Sequence, residues 1–151
     1  MPRSADGRQR KGREIMLKQA VIDQCTQDLC DIRGFDRTEL THLEEGYAEC
    51  RAYPGPDCVN DVGTVHGGFL LALADQAAAT SGESLGTVTV TLNMSASFFR
   101  PGLVTDDYID VKSRVVHGGS KTVVSEVEMY NPSGKLLFKG TFTLFRTDKV
   151  L

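Results

Sequence analysis

The stretch "VHGGFLLALADQAAAT", residues 65–80, constrains the fold more than any other part of the chain. Between Gly68 and Gly82 no helix breaker interrupts it, alanine and leucine dominate, and neither valine nor isoleucine occurs. That is too long for an ordinary strand, and its composition favours helix. Nearly every face is apolar, so the pattern predicts a buried helix whose small alanines let a sheet approach closely. Asp75 is the only formal charge between Asp61 and Glu83. Burying an unpaired carboxylate is costly, which makes Asp75 a functional candidate and not packing material. The run from Val62 to Gly82 has the length of a membrane span, but its glycines, His66, Asp75, Gln76 and the absence of flanking basic residues argue against one.

Beyond this helix the sequence alternates. "TVTVTLNMSASFF", Thr87 to Phe99, places Val88, Val90, Leu92, Met94, Ala96 and Phe98 on one side and Thr89, Thr91, Asn93, Ser95 and Ser97 on the other, the clearest strand in the chain. "RPG" turns it. "DYIDVKSRVV", "KTVVSEVEMY" and "KLLFKGTFTLF" come next, separated by the turn signals "HGGS" and "NPSG", and predict an antiparallel meander. Upstream, residues 15–31 have loose helical spacing through Met16, Ala20, Ile22 and Leu29, and residues 40–53 suggest a single first strand ending at "PGPD". The class is α+β. One long helix cannot cover both faces and both edges of such a sheet, so a self-associating protein is expected.

A chain of 151 residues suits one domain, assigned to residues 15–151, after a disordered leader over residues 1–14 for which Met16 offers an internal start. The net charge of −3, with no basic stripe beyond the N-terminus, excludes a nucleic-acid partner. Cys25, Cys30, Cys50 and Cys58 form no CxxC pair and have no histidine at zinc spacing, so they read as reduced thiols in a cytoplasmic protein without a metal.

"NDVGTVHGGFLLALADQAAA", followed by an alternating strand ending in "FFRPG", resembles the hotdog-fold acyl-CoA thioesterases, in particular the branch typified by the phenylacetate-pathway thioesterase. Asn60 lies six residues before His66, Gly63 stands between them, HGG follows, and Asp75 lies nine residues after the histidine. The resemblance covers about residues 40 to 147. It implies a sheet wrapped around a central helix, dimers paired edge to edge and often tetramers, and active sites at the dimer interface. By position, Asp75 matches the catalytic carboxylate and Gly67 the residue whose N–H polarises the thioester carbonyl. Asn60 and His66 match the polar residues beside it, and Thr89 falls where relatives carry a hydroxyl that positions water. Asp75 of one chain would face Asn60, His66 and Gly67 of the other. No cofactor is implied; CoA enters as part of the substrate.

The chemistry is coherent with those residue types. Thioester hydrolysis builds negative charge on the carbonyl oxygen, and a helix start supplies unpaired N–H groups and partial positive charge. Gly67 and Gly68 permit close approach to backbone, Gly68 as a substrate contact. A carboxylate in an apolar site is suited to act as base or nucleophile. Each residue also has a plainer reading: His66 as a helix cap, Asn60 as an Asx-turn, Gly67 and Gly68 as turn residues, Thr89 as an ordinary strand residue. Arg100 either touches a CoA phosphate or sits in its turn, the turn being favoured, and His42 and His117 read as surface residues. Phe98, Phe99, Met94 and the helix leucines offer walls for an aromatic or medium-chain acyl group. The competing functions are a hotdog hydratase or dehydratase and a non-catalytic acyl-CoA or acyl-ligand binding module.

Overall fold

A computed structural model describes residues 16–30 and 32–151; the leader assigned to residues 1–14 lies outside the described residues. The elements run α1 (Gln19–Cys30), β1 (Arg37–Glu44), β2 (Tyr47–Tyr53), a 3-10 turn (Pro56–Cys58), α2 (Gly67–Glu83), β3 (Thr87–Phe98), β4 (Ile109–Gly118), β5 (Thr122–Tyr130) and β6 (Leu136–Val150). The strands form one six-stranded sheet in the order β1-β2-β4-β5-β6-β3, all pairs antiparallel. It curves around α2, which packs against β2, β3, β4, β5 and β6 and is flanked by α1. This is the hotdog arrangement.

Helix α2 can lie this close to the sheet because its inward residues are small. Leu70, Leu73, Ala74, Ala77 and Ala78 are buried against Ile109, Val111, Val127, Met129, Phe138 and Phe142. Further along, Ser81 Oγ meets Ser113 Oγ at 2.7 Å and Ser125 Oγ at 3.0 Å, so the helix end is held to the central strands by satisfied hydroxyls. At Gly82 an added Cβ would lie 2.9 Å from Leu144 Cδ1, so any larger residue there would have to displace that buried side chain.

The structure departs from the sequence reading in three places. Residues 40–53 hold not one strand but a hairpin, β1 and β2, turning at Glu45 and Gly46, where Gly46 takes φ +77°. The weak alternation concealed a glycine that alone supplies the left-handed turn residue. The buried stripe of α1 is Val21, Cys25 and Leu29, with cysteine serving as a small hydrophobe. Burial pushes the Cys25 thiol up to about 12, with the Glu83 charge adding to it, and likewise raises Cys50 to about 12.

The third departure is in β3. A bulge between Thr91 and Asn93 shifts its register against β6. Before the bulge Thr91 lies opposite the buried Leu144; after it Met94 lies opposite Phe142, and Phe98 opposite Phe138. The apolar set from Val88 to Phe98 therefore does not share one face. Val90 points away from the helix beside Phe145, while Met94, Ala96 and Phe98 point towards it.

Candidate active site

The start of α2 is built by the loop before it. Val59 and Val65 form a β-bridge, and Thr64 bridges Leu103 beyond the "RPG" turn. Asn60 organises this loop: Oδ1 accepts the N–H groups of Val62 at 3.2 Å and Thr64 at 3.0 Å, and Nδ2 donates to Thr64 Oγ1 at 2.6 Å. Gly63 completes the turn at φ +78°. His66 then caps α2 through its backbone: its carbonyl accepts the Phe69 and Leu70 N–H groups at 3.0 and 3.2 Å, and its own N–H donates to the Cys58 carbonyl at 2.8 Å. The His66 ring makes no cap bond and tilts against Phe69, 6.1 Å between centroids.

Gly67 and Gly68 are exposed, and their N–H groups find no acceptor among the described residues. Neither has a positive φ, and a Cβ on Gly68 would meet nothing within 4 Å. A Cβ on Gly67 would meet only the Phe98 ring at ordinary contact distance, 3.5 Å. Packing within this chain therefore does not demand glycine at either position.

Asp75 stands on the opposite flank of α2 from the sheet centre, half-buried. Its Oδ1 accepts a hydrogen bond from Thr91 Oγ1 at 2.6 Å. Thr91 belongs to β3, the free edge of the sheet, so the carboxylate lies beside that edge. Asp75 opens into a cleft of about 790 Å³ lined by His66, Gly68, Phe69, Ala72 and Gln76 of α2 and its cap, and by Asp28, Ile32 and Arg33 from the end of α1 and the segment after it. A second cleft, about 340 Å³, holds Asn60, Gly67, Phe98, Phe99 and Arg100. Arg100 is anchored there by its Nη1, which donates to the Leu136 carbonyl at 3.0 Å.

The sequence-predicted residues thus fall on two sides of one helix start. Asp75, His66 and Gly68 share the larger cleft; Asn60, Gly67 and Arg100 share the smaller. Eight residues of helix separate Gly67 from Asp75, a rise of about 12 Å. One chain cannot bring that N–H and that carboxylate to a single carbonyl. Thr89 lies in neither cleft: it is buried, its N–H donates to Glu83 Oε1 at 3.1 Å, and its hydroxyl has no partner among the described residues. The hydroxyl that meets Asp75 is that of Thr91, two residues on. Alternation puts both threonines on one face, but only the crossing of β3 over α2 decides which one lies level with Asp75. The α1 wall of the cleft also escaped sequence reading, because nothing local links residues 28–33 to residues 66–76. Among the described residues no group of three or more His, Cys, Asp or Glu side chains is arranged to hold a metal, and no helix is long and apolar enough to cross a membrane.

Comparison with known proteins shows the family and the fold. The profile of the thioesterase superfamily matches residues 62–138, which include the α2 start, Asp75 and Thr91. The acyl-coenzyme A thioesterase PaaI of Escherichia coli K12 is 31% identical over 104 residues, 68% of this chain and 74% of that protein. The crystal structure of a hypothetical thioesterase from Streptococcus pneumoniae TIGR4 with coenzyme A superposes with a TM-score of 0.78 at 29% identity, covering 86% of this chain and 99% of that one. Two mutant crystal structures of a hypothetical thioesterase from the same strain, TM-scores 0.73 and 0.72 at 31% identity, carry alanine in place of an aspartate and of a threonine sixteen positions further on. Each covers 77% of this chain, and the chain covers 95% and 94% of theirs.

Proposed function

This chain belongs to the thioesterase superfamily, and from that premise we propose that it hydrolyses an acyl-CoA, releasing the free acid and CoA, at sites shared between two copies of the chain. The observation that carries the reading is the pairing of Asp75 with Thr91 at the free sheet edge, about 12 Å along the helix from two unbonded N–H groups. Asp75 and Thr91 are sixteen residues apart, the spacing of the aspartate and threonine replaced in the pneumococcal protein.

The edge itself supports assembly. On β1, the other edge, Arg37, Glu39, His42 and Glu44 discourage pairing, whereas β3 exposes Val90 and Leu92 at 51% and 59% and Phe98 at 51%. A long apolar edge strand is stable in water only when a partner covers it, and a second copy of β3 does so symmetrically. Such a dimer sets Asp75 of one chain opposite the α2 start of the other. Both a dimer and a tetramer of such dimers fit this reading.

In the resulting site the Gly67 N–H, at the positive end of α2, donates to the thioester oxygen and stabilises the charge that develops there. Gly68 leaves room for the thioester to approach the backbone. The Asp75 carboxylate, oriented by Thr91, either takes a proton from the attacking water or attacks the carbonyl carbon to form a mixed anhydride that water then hydrolyses, regenerating the carboxylate; in either course the thiolate of CoA leaves and takes up the proton released from water. His66 stands at the mouth and orients substrate. Asn60 acts by holding the loop that presents Gly67, and Arg100 lies where it can meet a phosphate of CoA. Thr89 has no part in this site. Ile32, Phe69 and Ala72 wall the larger cleft, which suits an aromatic or medium-chain acyl group. The reaction as read here uses no cofactor. The free thiols of Cys25, Cys50 and Cys58 support a cytoplasmic location.

The test is thiol release from a panel of aromatic, medium-chain and long-chain acyl-CoAs by wild type and by Asp75→Asn. The variant is expected to stay folded and to lose turnover by about 100-fold or more. Undiminished turnover would remove Asp75 from the chemistry, and no release from any acyl-CoA by folded wild type would leave a binding protein.

A further inference from the structure

The C-terminal end of α2 holds a carboxyl group that takes no part in the hydrolysis as read above. Glu83 is 3% exposed; its Oε1 accepts the Thr89 N–H at 3.1 Å, and its Oε2 is buried without a partner among the described residues. An apolar side chain would fill that place with a smaller desolvation penalty, so what distinguishes Glu83 is the bond it makes to β3.

Two carboxyl groups of α2 thus hold β3. Asp75 and Glu83 are eight residues apart, which sets them on one flank of the helix about two turns from each other. Asp75 accepts the Thr91 hydroxyl at 2.6 Å and Glu83 accepts the Thr89 N–H, and Thr89 and Thr91 are successive residues of one strand face. The piece of β3 between these bonds is short and set off from the rest of the strand. Its register against β6 shifts between Thr87 and Thr89 and again between Thr91 and Asn93, so the alignment of its flanks does not carry through it. As part of the edge strand it has β6 on one side and no neighbouring strand on the other. Beyond its pairing with β6, its level along α2 is therefore set by the two bonds from the helix.

We propose that Glu83 is a positioning residue for the hydrolysis: by holding the Thr89 N–H it fixes the level of β3 along α2 at which the Thr91 hydroxyl meets Asp75. The link runs through the Thr89 backbone, so the Thr89 hydroxyl stays outside the site. Without an acceptor at residue 83 that N–H is left buried and unpaired, and β3 moves to satisfy it. The Thr91 hydroxyl moves with the strand, and the Asp75 carboxylate loses its orientation.

The effect on turnover rests on the reading of Asp75 as the reacting carboxylate; the link from Glu83 to Thr91 does not, and two readouts separate them. Steady-state kcat and KM for an acyl-CoA are measured on the full chain for wild type, Glu83→Gln, Glu83→Asp and Glu83→Leu, each also combined with Thr91→Val. The Thr91 methyl signal is followed by NMR wherever Thr91 is retained. Glutamine keeps an acceptor at the same reach and should hold kcat within about twofold of wild type. Aspartate, one methylene shorter, should lower kcat by about threefold and leucine by about fivefold, both with KM little changed and both with a shifted Thr91 signal. In the Thr91→Val background neither should lower kcat further, because the bond they disturb is already gone. The same loss in both backgrounds overturns the proposal, as does glutamine proving as damaging as leucine or an unmoved Thr91 signal in Glu83→Asp. Unchanged kcat in Glu83→Asp where Thr91→Val lowers it overturns it too. If Glu83→Leu does not fold, Glu83→Asp decides by the same comparison. A shifted Thr91 signal in Glu83→Asp, with kcat unchanged both there and in Thr91→Val, upholds the link and removes the orientation of Asp75 from the chemistry.

Discussion

Thr91 donates its hydroxyl to Asp75 Oδ1 at 2.6 Å, joining the central helix to the free edge strand of the sheet. The bond fixes one oxygen of the carboxylate and leaves the other for substrate or water. It also ties the carboxylate to the exposed edge strand, so in the proposed shared site the position of the carboxylate depends on how that edge is covered.

Thr91→Val keeps the shape of the side chain and removes the donor. It is expected to lower kcat by about tenfold, the scale of a misoriented base, while the fold persists. Thr89→Val is expected to leave kcat within about twofold and to raise thermal stability, because it deletes a buried hydroxyl that has no partner among the described residues. Steady-state kinetics and thermal melts on the two variants decide the matter; a greater kinetic loss at Thr89 reverses the assignment.

A shared site makes a prediction that a site within one chain cannot. Asp75→Asn and Gly67→Val should each be inactive alone, but subunits exchanged between them form mixed dimers with one wild-type site of two. Random mixing makes half the dimers mixed, so about a quarter of wild-type activity should return. Light scattering on the same samples should show dimers or tetramers. No recovery after verified exchange would overturn the shared site.

Gly68→Ala separates stability from activity. The added Cβ meets no atom of this chain within 4 Å, and alanine in a helix is favoured over glycine by about 0.5–1 kcal/mol. Melting temperature should hold or rise, while KM or kcat worsens by about tenfold because the methyl group stands where the thioester must approach. An unaffected enzyme would show that nothing comes close to that backbone.

Stability should fall as pH rises through the range set by Glu83. Its usual value is 4.5 and its value in the fold is raised to about 7, chiefly by burial, so between these the unfolded chain releases a proton that the folded chain keeps. Folding is thus stabilised most below about pH 4.5, and the contribution is lost as pH rises to about 7, a change on the order of 3 kcal/mol. Urea unfolding of wild type against Glu83→Gln at several pH values isolates it: the difference between the two proteins should vary with pH in that window and become constant above it.

Much of this protein was legible in the chain. The α2 helix, the β3 strand and the meander of β4, β5 and β6 follow from periodicity and turn residues, and Asp75 stood out as a charge where packing called for none. The Asn60 turn was also readable, since asparagine ahead of a glycine loop commonly bonds its own backbone. The features that went unread arise from effects with no local signature. The Gly46 hairpin was hidden by an alternation too weak to break, and the β3 bulge moves half a strand's side chains to the other face without changing its composition.

Local sequence therefore determined which segments are helix and strand, because backbone propensity and hydrophobic period act within a few residues. It also singled out Asp75 as a candidate, because a lone carboxylate in an apolar helix is conspicuous wherever that helix lies. Only the tertiary structure decided that Thr91 and not Thr89 reaches that carboxylate, and that Asp28 of α1 helps to wall the cleft into which Asp75 opens. A helix advances about 1.5 Å per residue and a strand about 3.3 Å, so which residues come level where two elements cross depends on how they pack against each other.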